Sequence, residues 1–348
     1  MLIPGEKSLT GRLFSKDIKQ IGRGKVKTIY RHPNYDMLTI EYSDDLSCFN
    51  KYRCQIEDKG EILNHTNAWW MKQTSHIIPN HYLFHSGNKL LVKECKRIDI
   101  EVIVRGYYTG SLYREGNADK YGIELPHNLE KDQKFEHPII TPTTKDADDT
   151  PLTEEQILFA GLATSEQWEY IKKKSLELFK YGETVAAGHG LNLVDTKYEF
   201  GIDKTGKIIL IDEIHTPDSS RYWDVTSKNA YDKDHVRNFV LDNPDKEIPE
   251  EVKDKVRTVY SYLYSLFTSC PVPSYSIDVY NHYINQISPL VVVISGSRSD
   301  IDFVEKINDE FQKEGIFYHN YFHSAHKETE KVLKIVRYYS SREAPTIF

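Results

Sequence analysis

The sequence predicts an α+β chain that ends in a short α/β segment. Three observations carry this. Residues 193–224 alternate apolar and charged side chains at a period of two, across a turn at Asp203-Lys204-Thr205-Gly206, as a β-hairpin does. Residues 153–188 and 252–263 instead repeat apolar side chains at helical spacing. Residues 289–337 read strand, Gly/Ser loop, helix, strand, then a further helix-like element, which is βαβ order.

The chain has 348 residues, enough for two domains of ~100–200 residues each. At 39% hydrophobic and 12% aromatic it can bury a core. A net charge of −7 argues against a general nucleic-acid surface. Cys48, Cys54, Cys95 and Cys270 have no CxxC spacing and suit reduced thiols. No apolar run approaches the ~20 residues that cross a bilayer, and the start lacks a signal-peptide core. The expectation is a soluble cytoplasmic protein with neither membrane nor nucleic acid as partner.

Residues 21–31, IGRGKVKTIYR, read as strand, glycine turn, strand. Gly22 and Gly24 let backbone approach a ligand, and Lys25 and Lys27 add positive charge. GxxxxGK[ST] is absent and Lys27 stands at the third glycine position of GxGxxG, so a plain surface hairpin fits as well. Residues 38–50 read as a strand followed by a polar loop with Asp44, Ser47 and Asn50, either a binding loop or a turn. Residues 61–78 read as a helix with Leu63, Trp69, Trp70 and Ile77 toward the core; His65 and His76 receive no metal role.

Leu90 to Val92 read as a buried strand leading into Lys93-Glu94-Cys95, a link whose backbone can face an adenine edge. Glu101 to Arg105 read as a second strand ending on arginine beside Gly106, Gly110 and Ser111. Forked guanidinium donors and turn N–H groups make an anion cradle; a salt-bridged structural arginine fits the spacing equally. Residues 126–152 are polar and expected to be a functional loop or lid, with Thr143, Thr144 and Lys145 facing an anion, or else a solvated linker. Thr153-x-x-Gln156 and Thr164-x-x-Gln167 each fit a capping box.

The hairpin follows. A two-residue loop at Thr205-Gly206 sets Glu199 opposite Asp212; a four-residue loop sets Lys197 there. Either register leaves Lys197, Glu199, Leu210 and Asp212 on one face. Two carboxylates and a lysine at a sheet centre are costly unless something charged binds. A magnesium–phosphate group suits them, since Mg²⁺ takes one or two carboxylates plus phosphate oxygens; the alternative is a solvated face of ordinary ion pairs. Further on, Arg237 either reaches the site or pairs with an acid. Val252, Val256, Val259, Tyr260 and Leu263 form a helical face.

GRGKVKTIY, SDDLSCFN, EVIVRGYYTGS, TPTTK, LVDTKYEFG and IDEIHTPDSSRYWD occur in the order found in SAICAR synthetases, and residues 10–267 resemble that family. SGSRSD and HSAHKE resemble the opening of an AIR carboxylase domain. The first resemblance implies a two-lobed, kinase-like or ATP-grasp-like α+β fold, with a small antiparallel ATP lobe over residues 1–95 and a larger lobe over 96–267. A linker at 268–288 and a partial flavodoxin-like segment at 289–348 would follow. The implied reaction joins L-aspartate to the carboxylate of CAIR (carboxyaminoimidazole ribotide), with ATP and Mg²⁺, giving SAICAR, ADP and phosphate.

By motif, Gly24, Lys25 and Lys27 would cover the ATP phosphates and Lys93, Glu94 and Cys95 would touch adenine. Glu199 and Asp212 would hold Mg²⁺, with Lys197 at the reacting group. Arg105, Ser111 and Arg221 would bind CAIR, Lys145 would be a further anion partner, and Asp44, Ser47 and Arg237 match family positions. Cys48 stands where alanine is common and Asn50 where aspartate is common. Lys327 replaces the arginine expected after Ser-Ala-His and the later carboxylase motifs are missing, so the tail is expected to be inactive as a carboxylase. A kinase-like phosphotransferase and a non-catalytic scaffold are the competing readings, and a homo-oligomer is left open.

Overall fold

The computed structural model describes residues 18–32, 36–49, 51–116, 118–146 and 148–268, then 290–295, 303–304, 306–307, 317–322, 329–340 and 346–347. One compact unit comprises Lys19–His32 and Asp36–Ser274; a second contains the described elements near the C-terminus.

The first unit is α+β, built on two antiparallel sheets. One orders β1 (Lys19–Arg23), β2 (Lys27–Arg31), β3 (Met37–Tyr42), β7 (Lys89–Lys93) and β6 (Tyr82–Ser86) in that sequence. The other orders β11 (Ile208–Ile211), β10 (Leu191–Ile202), β8 (Lys96–Tyr107) and β9 (Lys134–Thr144), with β12 (Ser220–Asp224) also on β10. A small hairpin, β4 (Asp45–Cys48) with β5 (Lys51–Gln55), stands apart. Residues 79–81 stitch the large sheets together: Leu210 N–H donates to the Pro79 carbonyl, His81 N–H to that of Leu210, and Lys93 N–H to that of His81.

The helices explain which sheet face is dry. Helix α1 (Lys59–Gln73) buries Leu63 and Trp70 and leaves Trp69 partly covered. Two short helices, α2 (Gly110–Glu115) and α3 (Glu154–Phe159), precede the long α4 (Ser165–Gly188). Both expected capping boxes are present, at Thr153/Gln156 and Thr164/Gln167. Ile171, Leu178 and Phe179 of α4 join Ile100, Val102, Val104, Tyr198 and Phe200 in one core. Alternation then forces Glu101, Arg105, Asp195, Lys197 and Glu199 onto the opposite face. Helices α5 (Asp234–Asp242) and α6 (Glu250–Thr268) complete the unit, with Val256, Tyr260 and Leu263 buried.

Two expectations change. Residues 134–144 are a sheet strand, not loop or lid. The strand lies at the sheet edge, where Pro138 and Pro142 break no ladder that the fold needs. The hairpin adopts neither anticipated register: Glu199 faces Ile211, Phe200 faces Leu210 and Ile202 faces Ile208. Asp203 N–H bonds to the Lys207 carbonyl around a three-residue loop, with Gly206 left-handed at φ 82°. Leu210 therefore lies with Phe200 in the core, not beside Lys197. Asp212 escapes the same fate because its own φ is +61°, which turns the chain as the strand ends.

Behind that turn, buried His215 bonds Tyr198 Oη through Nε2 at 2.6 Å, and burial lowers its pKa to about 3. Gly182 makes room for it: a Cβ there would lie 2.4 Å from His215 Cε1 and 2.8 Å from Leu193 Cδ2. Alanine suits helices better than glycine by ~1 kcal/mol, yet overpacking costs ~1–3 kcal/mol. Gly182→Ala is thus expected to lower the urea unfolding midpoint; an increase would show that the ring moves aside freely.

In the second unit, β13 (Leu290–Ser295) lies between β14 (Phe317–Phe322) and β15 (Thr346–Ile347), all parallel, and α7 (Thr329–Ser340) is the further helix. The expected linker 268–288 after Thr268, the loop 296–300 and the His-Ser-Ala-His-Lys-Glu stretch 323–328 lie outside the described residues. Among the described residues no helix is long and apolar enough to cross a membrane. Cys48, Cys54 and Cys95 are free thiols.

Candidate active site

The polar face of the second sheet carries two charged groups, both rooted in β10. The first is built of lysines and carboxylates. Lys197 Nζ lies 2.7 Å from Glu199 Oε1, 3.0 Å from Glu101 Oε1 and 3.9 Å from Asp212 Oδ2. Lys145 Nζ reaches Glu101 Oε1 and Glu199 Oε1, each at 2.6 Å. Lys27 crosses from the first sheet to Asp212 Oδ1 at 2.7 Å and Glu213 Oε1 at 3.4 Å. Its ammonium also sits over the Tyr42 ring, 4.8 Å from the centroid.

Three lysines thus face four carboxylates, and burial amplifies the imbalance. Burial by itself would raise Asp212, but Lys27 and then Lys197 override it and hold the carboxyl well below its usual range. Burial would likewise lower Lys27 and Lys197, yet their acidic neighbours raise both. Glu199 goes the other way: burial pushes its carboxyl up in spite of the Lys197 charge, with Asp212 adding to the rise. With four carboxylates against three ammonium groups the site is short of positive charge. That donor set fits a divalent cation brought in with phosphate oxygens. Among the described residues no three Asp, Glu, His or Cys side chains are arranged so that they could hold a metal ion by themselves.

The second group is built of arginines. Asp195 pairs across the ladder with Arg105 on β8 and Arg221 on β12. Its Oδ2 accepts from both guanidiniums, at 3.3 Å from Arg105. Arg105 also donates to Thr141 Oγ1 at 2.8 Å and to Ser111 Oγ at 3.2 Å. Asp234 joins Arg221 Nε at 3.3 Å to Arg237 Nη1 at 2.5 Å. Buried Asp232 accepts the Tyr222 and Asp234 N–H groups; burial, with Asp234 beside it, pushes its pKa up to about 7. Gly110 is required beside Arg221, where a Cβ would come 2.9 Å from Nη1. The two groups are separated along β10 by two to four residues, about 7–13 Å. That span suits one elongated ligand with an anionic end.

The structure gathers Lys27, Lys145, Lys197, Glu199 and Asp212 in the first group and Arg105, Ser111, Arg221 and Arg237 in the second. Gly24 and Lys25 form the β1–β2 turn, closed by Gly24 N–H to the Lys27 carbonyl at 2.7 Å. Lys93 and Glu94 spend their N–H groups on the carbonyls of His81 and Asp36, and Glu94 accepts from Arg31. Cys95 packs so tightly on Gly201 that a Cβ there would lie 2.7 Å from its sulfur, and burial pushes its thiol up to about 11. Asp44 Oδ1 accepts Gly60 N–H at 2.9 Å, capping α1. Ser47 lies on β4, half-buried, and among the described residues no hydrogen bond ties it to either group.

Sequence reasoning missed Glu101, Glu213, Asp195, Asp232 and Asp234. Glu101 had a signal, since strand period places it on the face of Arg105. Two surface concavities of about 310 and 470 Å³ lie elsewhere, both lined by Lys134, Lys180 and Glu183.

Comparison with known proteins agrees with this architecture. The model of the family described as SAICAR synthetase matches residues 20–255. The phosphoribosylaminoimidazole-succinocarboxamide synthase of Legionella pneumophila (strain Paris) is 38% identical over 275 residues, covering 71% of this chain and 86% of the relative. The chloroplastic enzyme of that name from Vigna aconitifolia is 42% identical over 234 residues, 65% of this chain and 67% of its own. The structure of SAICAR-synthase from Saccharomyces cerevisiae complexed with SAICAR superposes with a TM-score of 0.66 at 29% identity, covering 74% of this chain and 97% of that one. A SAICAR synthetase in complex with ADP gives a TM-score of 0.60 at 26% identity, over 73% and 99%. On its sequence and its fold alike, this chain belongs to the SAICAR synthetase family.

Proposed function

We propose that the chain ligates L-aspartate to the carboxylate of CAIR at the expense of ATP, with Mg²⁺ as cofactor. The carrying observation is the pair of charged groups on one sheet face, lysine–carboxylate beside arginine, rooted in a single strand. Relatives bound to SAICAR and to ADP support it.

A carboxylate is a poor acyl donor. In this reading a CAIR carboxylate oxygen attacks the γ-phosphorus, the bond to ADP breaks, and an acyl phosphate forms. The aspartate amine then attacks the acyl carbon, losing a proton, and phosphate departs with the C–O bond pair. Such transfer rests on positioning and charge neutralisation. Gly24, Lys25 and Lys27 cover the phosphates; Lys93, Glu94 and Cys95 line the adenine edge. Glu199 and Asp212 hold the metal, which when bound supplies the positive charge that this group lacks. Lys145 and Lys197 hold the reacting anions in line. Arg105, Ser111 and Arg221 grip the CAIR phosphate end, with Arg237 next to them through Asp234, and Asp44 and Ser47 belong to the polar loop that the family shares.

The same reading divides the chain into two kinase-like lobes over 1–95 and 96–267, a linker at 268–288 and an inactive, flavodoxin-like remnant of AIR carboxylase at 289–348. Its free thiols suit the cytoplasm. An ADP-release assay, leaving out ATP, Mg²⁺, CAIR or aspartate in turn, tests the reaction. Release is expected only when all four are present. Release without aspartate would make the chain a phosphotransferase instead. CAIR formation from AIR and CO₂ by this chain would overturn the assignment of an inactive tail.

A further inference from the structure

Helix α1 sends one buried amide into the loop that carries Asp212. Asn67 has no exposed surface. Its Nδ2 donates to Tyr42 Oη at 2.9 Å and to the Asp212 carbonyl at 3.0 Å, and its Oδ1 accepts Ile214 N–H at 3.0 Å. The amide orientation is unambiguous, because a carbonyl can only accept and a backbone N–H can only donate. These bonds bracket Glu213 and clamp the chain directly after Asp212, whose φ of +61° is one that residues with a side chain rarely adopt. Without that turn the carboxylate would follow strand alternation into the core beside Leu210. Tyr42, the third partner, belongs to β3 and lies beneath the Lys27 ammonium that pairs with Asp212.

We propose that Asn67 is the positioning residue of the site. Its amide holds the left-handed turn that aims Asp212 through the bonds to the Asp212 carbonyl and the Ile214 N–H. The inference rests on the reading of Asp212 as a metal-binding carboxylate. Asn67 itself touches no reacting atom. It spends its bonds on the carbonyl of one functional residue, on the N–H two residues further on, and on the hydroxyl of the tyrosine under that residue's counter-ion.

The test uses the full chain with Asn67→Ala, Asn67→Asp and Tyr42→Phe, each read in two ways. Amide hydrogen exchange reports the Ile214 N–H, and Mn²⁺ binding in the presence of ADP reports Asp212. Asn67→Asp is isosteric but cannot donate to the Asp212 carbonyl, so it separates the hydrogen bond from packing. Both Asn67 variants are expected to lose protection at Ile214 while β10 keeps its own, and to weaken Mn²⁺ binding about ten-fold, as residues that orient metal ligands do. Tyr42→Phe keeps the bonds to Asp212 and Ile214 and is expected to stay within about two-fold. Wild-type Mn²⁺ binding with Asn67→Ala, or protection lost evenly through the unit, would overturn the proposal. Asp212→Asn serves as the control. If it leaves Mn²⁺ binding unchanged, the metal reading fails, and exchange at Ile214 alone then decides whether Asn67 holds the turn.

Discussion

Asp212→Asn is expected to lower kcat by about 10²–10³-fold or more while the protein stays folded. The substitution is close to a pure charge deletion. Asparagine matches aspartate in shape and is among the side chains that tolerate the left-handed region, so the φ of +61° survives. What disappears is the anion that Lys27 meets at 2.7 Å and that Lys197 faces at 3.9 Å. The first group would then hold three lysines against three carboxylates, and its deficit of positive charge, the property that fits a divalent cation, would vanish. Steady-state kinetics at saturating ATP, with circular dichroism as the folding control, measures the effect. Wild-type turnover would remove Asp212 from the chemistry. Lys197→Ala is expected to act on kcat in the same direction, since it strips Glu199 and Glu101 of a shared ammonium.

Much of this site was legible because strand period is a strong constraint. Lys197 and Glu199 share a face in any register, and Arg105 follows the apolar run of its strand, two residues before that strand ends. The hairpin register was not legible, because both anticipated loops carried an even number of residues. The three-residue loop exists through the left-handed Gly206 and through Asp203, whose Oδ1 accepts from Thr205 and Lys207 N–H groups. An odd loop reverses which residues of β11 face the core, and only a local departure from strand geometry returns Asp212 to the site. That compensation lives in the backbone of a single residue and leaves no periodic trace. Strand β9 was hidden for a different reason: its two prolines and threonines read as loop, and its place at the sheet edge is a tertiary fact. Asp195 shared the period of Lys197 and Glu199 and could have been read with them; Asp232 and Asp234 were passed over because an acid among polar residues has no pattern of its own. Their roles follow from the arginines that the fold brings to them.

Lys59→Met is expected to cost about 3–5 kcal/mol of stability, the range for breaking a buried ion pair from one side. Lys59, fully buried at the start of α1, places Nζ 2.8 Å from Asp218 Oδ2, and Tyr260 Oη donates to Asp218 Oδ1 at 2.6 Å. Burial alone would push the Asp218 carboxyl up; Lys59 and then Lys233 override it and hold it well below the usual range. A carboxyl depressed in the folded state stabilises the fold above its unfolded pKa of ~3.9 and loses that contribution as pH falls through its folded value. The gap between wild type and Lys59→Met should therefore be full at neutral pH and close in acid, which urea titrations across pH would show. Lys59→Met/Asp218→Leu should recover most of the loss, because an apolar pair leaves no charge stranded. A loss below about 1 kcal/mol in the single variant would mean that the Asp218 charge finds solvent or Lys233 instead. The position gives the pair its functional weight. Asp218 lies in the segment that leads to Arg221, and Ser219 next to it accepts the Lys197 N–H at 3.1 Å. Releasing Asp218 should loosen the segment that fixes both the arginine of one group and the lysine of the other, so Lys59→Met is expected to lose activity before it unfolds.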